Sequence, residues 1–173
     1  MDHRKFLVAA ALAVAASAPT GASAAPVAAN SSGKALILIP LTITKIDDLD
    51  FGSIIAPPAA GSVTLDATTS NRTFTGGAVG VSSAAGHRAL FGGAGTPNQQ
   101  VFVSVFPPSQ LTDSNGDTIP VSALTLDNGG NPVRTVDATT HTFYVGVGGV
   151  LSLAANQPDG DYSATFQLFA NYQ

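Results

Sequence analysis

The amino-acid sequence predicts a single-domain, all-β protein, and three observations support that fold class. Glutamate is absent from the sequence and lysine is scarce, so the residues that usually cover helix surfaces are missing. Valine, threonine, phenylalanine, glycine, asparagine and proline are abundant instead, which is typical of strands and turns. Short alternating runs are separated by turn signals, and no ten-residue stretch after the first 24 residues has a helical period.

The N-terminus predicts an export signal. Residues 1–5 are mostly basic, and the apolar run FLVAAALAVAASA that follows is too short for a comfortable membrane span. Ala22 and Ala24 then form a small-residue cleavage pattern. We therefore expect residues 1–24 to be a signal peptide rather than a membrane anchor, and residues 25–173 to be long enough for one domain with its own core.

Residues 25–40 are interpreted as a flexible lead-in that ends in an apolar segment. APVAANSSGK has no core-forming pattern, whereas KALILIPLTITK is the most apolar stretch after residue 24. Alternation in this stretch places Ala35, Ile37 and Ile39 on one face. Because Pro40 cannot donate a ladder hydrogen bond, the segment is either an edge strand or two strands that meet at the proline.

Residues 41–173 predict the domain itself, as a series of short strands. The segment IDDLDFGSI is interpreted as a turn leading into Phe51 and Gly52, DSNGDT as an Asn-Gly hairpin turn, and GVGG as a bulge or break between two strands. A closing strand is predicted from Tyr162 to Tyr172. In chain order, the predicted strands lie in LTITK, SVTLDA, RTFTGGAVGVSS, HRALFGG, QVFVSVF, ALTLD, HTFYVGVGGVLSLA and DYSATFQLFANYQ.

The residue inventory argues against catalysis and against a cofactor. After the first 24 residues only His87 and His141 remain as histidines, without metal-ligand spacing, and there is no cysteine. GVSSA lacks the final glycine of a nucleophile elbow, and DSNGDT lacks the glycine and glutamate of a calcium loop. A formal net charge of −4 disfavours nucleic acid or an anionic membrane surface as partner. We therefore expect no enzyme activity, no cofactor and no metal.

The two ends of the chain together suggest pairing between chains. The closing segment has a clean apolar face, and a surplus apolar segment stands behind the lead-in. An exposed sheet edge is a template for another strand, and a partner's strand can fill it.

The closing segment resembles the carboxyl terminus of pilus subunits assembled by the chaperone–usher route, which end in an alternating strand with a penultimate tyrosine. Tyr172 is penultimate here, and Gly160 stands about a dozen residues earlier. LTITKIDDLDFGSI and TFYVGVGGVLSLAANQPDGDYSATFQLFANY also resemble the DUF4402 group of bacterial exported proteins. The resemblance covers both ends and reaches the middle only through spacing and turn density.

The resemblance implies an immunoglobulin-like, pilin-like β-sandwich, complete or lacking one strand. Residues 27–41 would be a donor strand that carries Ala35, Ile37 and Ile39 into a neighbouring subunit. The partners would be a periplasmic chaperone, an outer-membrane usher and neighbouring copies or related subunits. The destination would be the cell surface or the extracellular space, after passage through the periplasm. The residues at the chaperone and subunit interface would be Gly160, Tyr162, Phe166, Leu168 and Tyr172.

Two alternatives stay open at this point. Tyr172 can be the last core residue of a complete sandwich, and Gly160 the left-handed residue of a Pro-Asp-Gly turn. The rival function is a monomeric secreted β-sandwich that binds carbohydrate or another cell-surface component. The absence of tryptophan argues mildly against that rival.

Overall fold

The computed structural model describes residues 27–173, so the signal peptide predicted for residues 1–24 lies outside the described residues. The chain divides into a unit that ends at Ala35 and a domain, Leu36–Gln173. The domain is all-β, as the sequence predicts, and its regular structure consists of antiparallel strands and one 3₁₀ turn. Between residues 27 and 173, no helix is both long and apolar enough to cross a membrane.

Twelve strands are present in the described residues, and the 3₁₀ turn Asn128–Gly130 lies between the ninth and tenth. They are β1 (Thr42–Asp47), β2 (Asp50–Ile55), β3 (Gly61–Leu65), β4 (Arg72–Phe74), β5 (Val79–His87), β6 (Ala89–Ala94), β7 (Gln100–Phe106), β8 (Gln110–Thr112), β9 (Thr118–Leu126), β10 (Val133–Thr135), β11 (Thr142–Leu153) and β12 (Gln167–Tyr172).

The strands form three sheets. The largest has the order β1-β6-β11-β3-β4, and β9 joins it by pairing with β11 on one side and β8 on the other. A three-stranded sheet has the order β10-β7-β12, and β2 pairs with β5 in the third. Strands β1 and β12 therefore both lie at sheet edges.

One face of β11 organises the core, because its alternate residues reach two apolar clusters. Phe143, Val145 and Val147 pack in the first cluster with Val101 and Val103 of β7. This contact places the three-stranded sheet against the large one, as in a β-sandwich. Farther along the same strand, the second cluster buries Leu151 and Leu153 with Val63 and Ile119, with Phe51 and Ile54 of β2 packed against it.

The predicted glycine break in HTFYVGVGGVLSLA is wrong, because β11 continues through Gly148 and Gly149. A Cβ atom on Gly148 would clash with the carbonyl oxygen of Leu65 and with the backbone nitrogen of Ala67. The glycine therefore permits close approach of neighbouring backbones instead of turning the chain.

Two turns of similar sequence, DATTS and DATTH, show how the loops are held. The Asp66 carboxylate accepts hydrogen bonds from the Thr68 and Thr69 backbone N–H groups at 2.9 and 2.6 Å. In the second turn, Asp137 accepts bonds from Thr139 and Thr140 at 2.8 and 2.7 Å. These bonds favour the charged carboxylate and lower the pKa of both aspartates below their ordinary value of 3.8.

The two turns predict how stability depends on pH. A carboxyl whose pKa is lowered in the folded state stabilises it above the unfolded pKa, and that contribution is lost as pH falls through the folded pKa. We expect the thermal midpoint to fall as pH is lowered below about 4. Replacing both residues, Asp66→Asn with Asp137→Asn, should make this fall shallower in thermal unfolding curves from pH 7 to 2.5. An unchanged acid slope in the double variant would refute this account.

Candidate functional site: an apolar groove beside the C-terminal segment

A groove of about 700 Å³ runs along one side of the sandwich. Residues 50–54 of β2 form one wall, and residues 157–166, here called the wall segment, form the other. Six apolar side chains line it between the walls and are called the floor. The floor residues are Leu111, Ile119, Val121, Leu124, Leu151 and Leu153.

Most of the floor belongs to the domain's second core cluster, and Leu124 packs against the first. Ile119, Leu151 and Leu153 are buried with 7, 2 and 5% of their surface exposed, and Leu111 and Val121 pack against them half-buried. The groove therefore opens directly onto core side chains. Apolar surface in this position gains free energy when it is covered.

Tyr162 and Phe166 face the groove from the wall segment. The Tyr162 hydroxyl donates to the Pro158 carbonyl at 2.8 Å and accepts from Gln157 Nε2 at 3.1 Å. Gln157 also donates to the Thr118 carbonyl of β9 at 3.2 Å, which ties the wall to the floor. The Phe166 ring lies edge-to-face on Phe91 with 6.0 Å between the ring centroids.

The groove continues past Phe166 toward the end of β1. A second cavity of about 310 Å³ shares Leu49, Ala164 and Phe166 with the first. Lys45 and Asp47 also line this continuation. The two cavities thus follow the wall segment along its length, between the N-terminal strands and the C-terminal part of the chain.

The backbone of the wall segment is poorly paired. Within the described structure, its hydrogen bonds to other backbone groups are the two exchanged by Ser163 and Thr112, each 3.0 Å long. The segment leads directly into β12, which is itself an edge strand beside β7. Because an incoming strand can pair with free N–H and C=O groups, this edge is suited to strand addition.

Carboxylates surround the groove. Five aspartates line it, and the four other than Asp48 are called the rim carboxylates: Asp47, Asp50, Asp159 and Asp161. The lysine in this lining, Lys45, forms an ion pair of 2.6 Å with Asp48, and both side chains are more than half exposed. The site thus combines an apolar floor with an acidic rim.

Gly160, Tyr162 and Phe166, which the resemblance placed at an interface, lie together in this groove. The glycine has no positive φ, so its interpretation as a left-handed turn residue is wrong. A Cβ at this position would lie 2.7 Å from Asp113 Oδ2, and the contact with that side chain explains why a glycine is needed.

Leu168 and Tyr172 lie elsewhere, packed half-buried against the first core cluster. The predicted strand from Tyr162 is also too long, since regular pairing begins only at Gln167. β7 ends at Phe106, opposite Gln167, and in the described structure residues 162–166 pair only through the isolated bridge between Ser163 and Thr112. The alternation Leu168, Ala170, Tyr172 against exposed Gln167, Phe169, Asn171 is as predicted.

The Tyr172 hydroxyl holds the start of the domain. It accepts a hydrogen bond from the Thr96 N–H at 2.7 Å and donates to the Ile39 carbonyl at 2.9 Å. The Ile39 N–H in turn donates to Thr96 Oγ1 at 2.8 Å. The penultimate tyrosine therefore fixes the chain immediately before Pro40.

The predicted donor residues do not form a strand. The first strand begins only at Thr42, after Pro40, and residues 27–37 are all exposed. Ala35 is exposed in the unit that ends there, and Ile37 and Ile39 are 90 and 49% exposed. The segment of residues 27–40, here called the extension, thus displays apolar side chains that the described structure leaves uncovered.

Sequence reasoning missed the floor and the β2 wall. The floor residues come from three strands, β8, β9 and β11, and the pattern of IDDLDFGSI predicts mainly a turn. The available signal was the surplus of inward-facing apolar positions, Leu111 and Val121 among them, that flank the DSNGDT turn.

Comparisons with known proteins give one match. The profile of a family described as Domain of unknown function (DUF4402) matches residues 41–172. Neither the curated proteins nor the solved structures contain a significant match to the chain. The matched range begins at Leu41, just after the extension, and includes all twelve strands of the described structure. The chain therefore belongs to the DUF4402 family.

Proposed function

We propose that this protein is a structural subunit of a surface fimbria or similar polymer, assembled by donor-strand exchange without catalysis. One observation carries the proposal: an apolar groove runs beside a poorly paired backbone edge. The same chain displays an uncovered apolar segment, the extension. A strand laid into the groove would cover the floor and complete the sheet edge in one step.

The dimensions support this arrangement. The wall segment, residues 157–166, is at most about 33 Å long at the strand rise of about 3.3 Å per residue. The extension preceding Ile39 has enough residues to follow that length. Each large aliphatic side chain that becomes fully buried contributes roughly 1.5–3 kcal/mol. Ile37, which is 90% exposed, would supply most of this free energy, and Ile39, which stays hydrogen-bonded to its own domain, would lie at the junction. New ladder hydrogen bonds would fix the register.

In this proposal the groove needs protection before assembly. A periplasmic chaperone would hold it after export by the signal peptide, and an outer-membrane usher would exchange the chaperone for a neighbouring or related subunit. Tyr162 and Phe166 would contact each occupant in turn, since they face the groove. Leu168 and Tyr172 would act indirectly by packing behind the edge.

Deleting residues 25–40 tests the proposal. We expect the truncated domain to fold and to bind a chaperone, because the core clusters lie within residues 41–173. It should not polymerise, and a synthetic peptide of residues 27–40 should raise its thermal midpoint. If the truncated protein assembles as the full chain does, or if both are stable monomers that ignore the peptide, donor-strand exchange is refuted. A stable monomer would instead favour the rival function of a secreted binding module.

A further inference from the structure

We infer that the occupant of the groove is the extension of a second copy of this chain, and that Lys34 selects it by pairing with the rim carboxylates. The inference rests on the proposed function and adds the identity of the partner and the residue that specifies it. Charge, strand alternation and the fixed position of Ile39 support it independently.

The charges of the two surfaces are complementary. Five carboxylates line the groove, and one of them, Asp48, is paired with Lys45, which leaves the four rim carboxylates. The extension carries a single charged residue, Lys34. Every copy of the chain thus carries a positively charged segment that is complementary to the negatively charged groove. Such complementarity contributes to partner choice and register more than to raw affinity.

Strand alternation places Lys34 where it can reach the rim. If Ala35, Ile37 and Ile39 face the floor, Lys34 shares the opposite, outward face with Leu36 and Leu38. The ammonium group on its flexible stem then stays hydrated while contacting an exposed carboxylate. A lysine on the inward face would be buried against leucines, which is strongly unfavourable. The charge of Lys34 therefore favours the same orientation of the strand as the isoleucines do, with Ile37 and Ile39 facing inward.

The attachment of Ile39 favours a second copy over insertion into the chain's own groove. Ile39 is hydrogen-bonded to Thr96 and Tyr172, and Leu41 packs into the first core cluster. Self-insertion would require reversal of the chain at Pro40, between two fixed residues. The inserted strand would then run parallel to residues 157–172, because Ile39 is held beside Tyr172. A second copy can insert antiparallel, which is the more stable pairing.

Peptide binding to the domain lacking residues 25–40 tests the role of Lys34. At low salt, the Lys34→Asp peptide of residues 27–40 should bind about three- to tenfold more weakly than the natural peptide. A domain variant carrying Asp47→Lys or Asp161→Lys should bind the Lys34→Asp peptide more tightly than the natural peptide. The variant that does so identifies the aspartate that pairs with Lys34. High salt should abolish the difference. Both aspartates are exposed, so the charge reversals should leave the domain folded.

The outcomes separate the inference from the proposed function. If no peptide binds, donor-strand exchange itself fails. If natural and Lys34→Asp peptides bind equally and no rim variant discriminates between them, strand insertion stands and the role of Lys34 is overturned. The full chain, purified alone, should form a ladder of oligomers in size-exclusion chromatography. A full chain that stays monomeric while its domain binds the peptide would refute self-recognition.

Discussion

Replacing Ile37 with aspartate is expected to abolish assembly while leaving the domain as stable as before. Ile37 is 90% exposed in the described structure, so its loss removes no contact from the isolated subunit. In the proposed donor strand the same position would face the apolar floor. The variant forfeits roughly 1.5–3 kcal/mol of burial and adds the cost of desolvating a carboxylate. Assembly should therefore weaken by about 100-fold or more.

Leu36 provides the matched control. It is 70% exposed and adjacent to Ile37, but alternation places it on the outward face of the inserted strand. Leu36→Asp introduces the same charge into the same segment, yet it should change assembly by less than about fivefold. Oligomer formation by size-exclusion chromatography and domain stability by thermal unfolding should be measured for both variants. Equal losses at both positions would mean that no single face of the extension enters a groove.

Most strands of this domain could be predicted from sequence because they carry a local signal, but β2, β8 and β10 were not predicted. QVFVSVF alternates buried Val101 and Val103 with exposed Phe102 and Phe106, as its pattern predicts. The limits of that signal are also visible. A glycine-rich stretch such as GVGG can be a turn or part of a strand, and the sequence pattern does not distinguish the two. Only the backbone packed against Gly148 shows that the strand continues. Pattern alone also could not show that residues 162–166 leave the sheet.

The groove could not be predicted because it depends on tertiary contacts. Leu111, Val121 and Leu153 are unremarkable in sequence, and they meet only because β8, β9 and β11 are neighbours. The N-terminal and C-terminal segments could be interpreted as partners in strand pairing from sequence alone. A surplus apolar segment and an alternating edge strand are both local patterns. The acidic rim likewise required the fold, since Asp47 and Asp161 lie far apart in the chain.

Arg134 was also missed, although it links the two faces of the sandwich. Its side chain is 8% exposed and reaches from β10 to β11, donating through Nε to the Tyr144 carbonyl at 3.2 Å. The guanidinium also donates to the Asn131 carbonyl and pairs with the largely buried Asp127 carboxylate. Sequence offered only an arginine inside the short run VRT, which is equally typical of an exposed edge residue.

Replacing Arg134 with alanine is expected to cause the largest loss of stability among the changes considered. Removing one partner of a buried ion pair leaves the Asp127 carboxylate without its charge partner. It also leaves several backbone carbonyl groups without their hydrogen-bond donor. The expected cost is about 3–5 kcal/mol, a substantial part of the 5–15 kcal/mol typical of a folded domain. At this chain length the thermal midpoint should fall by about 10 °C or more.

Two comparisons test whether the loss of stability comes from the buried guanidinium of Arg134. Lys45→Ala breaks an exposed ion pair, with side chains 54 and 75% exposed, and should cost at most about 1 kcal/mol. Arg134→Lys keeps the charge but loses the planar fork that serves several acceptors at once, so it should be intermediate. Denaturant unfolding of the domain lacking residues 25–40 would measure all three without interference from assembly. If Arg134→Ala cost no more than Lys45→Ala, the guanidinium would not be what joins β10 to β11.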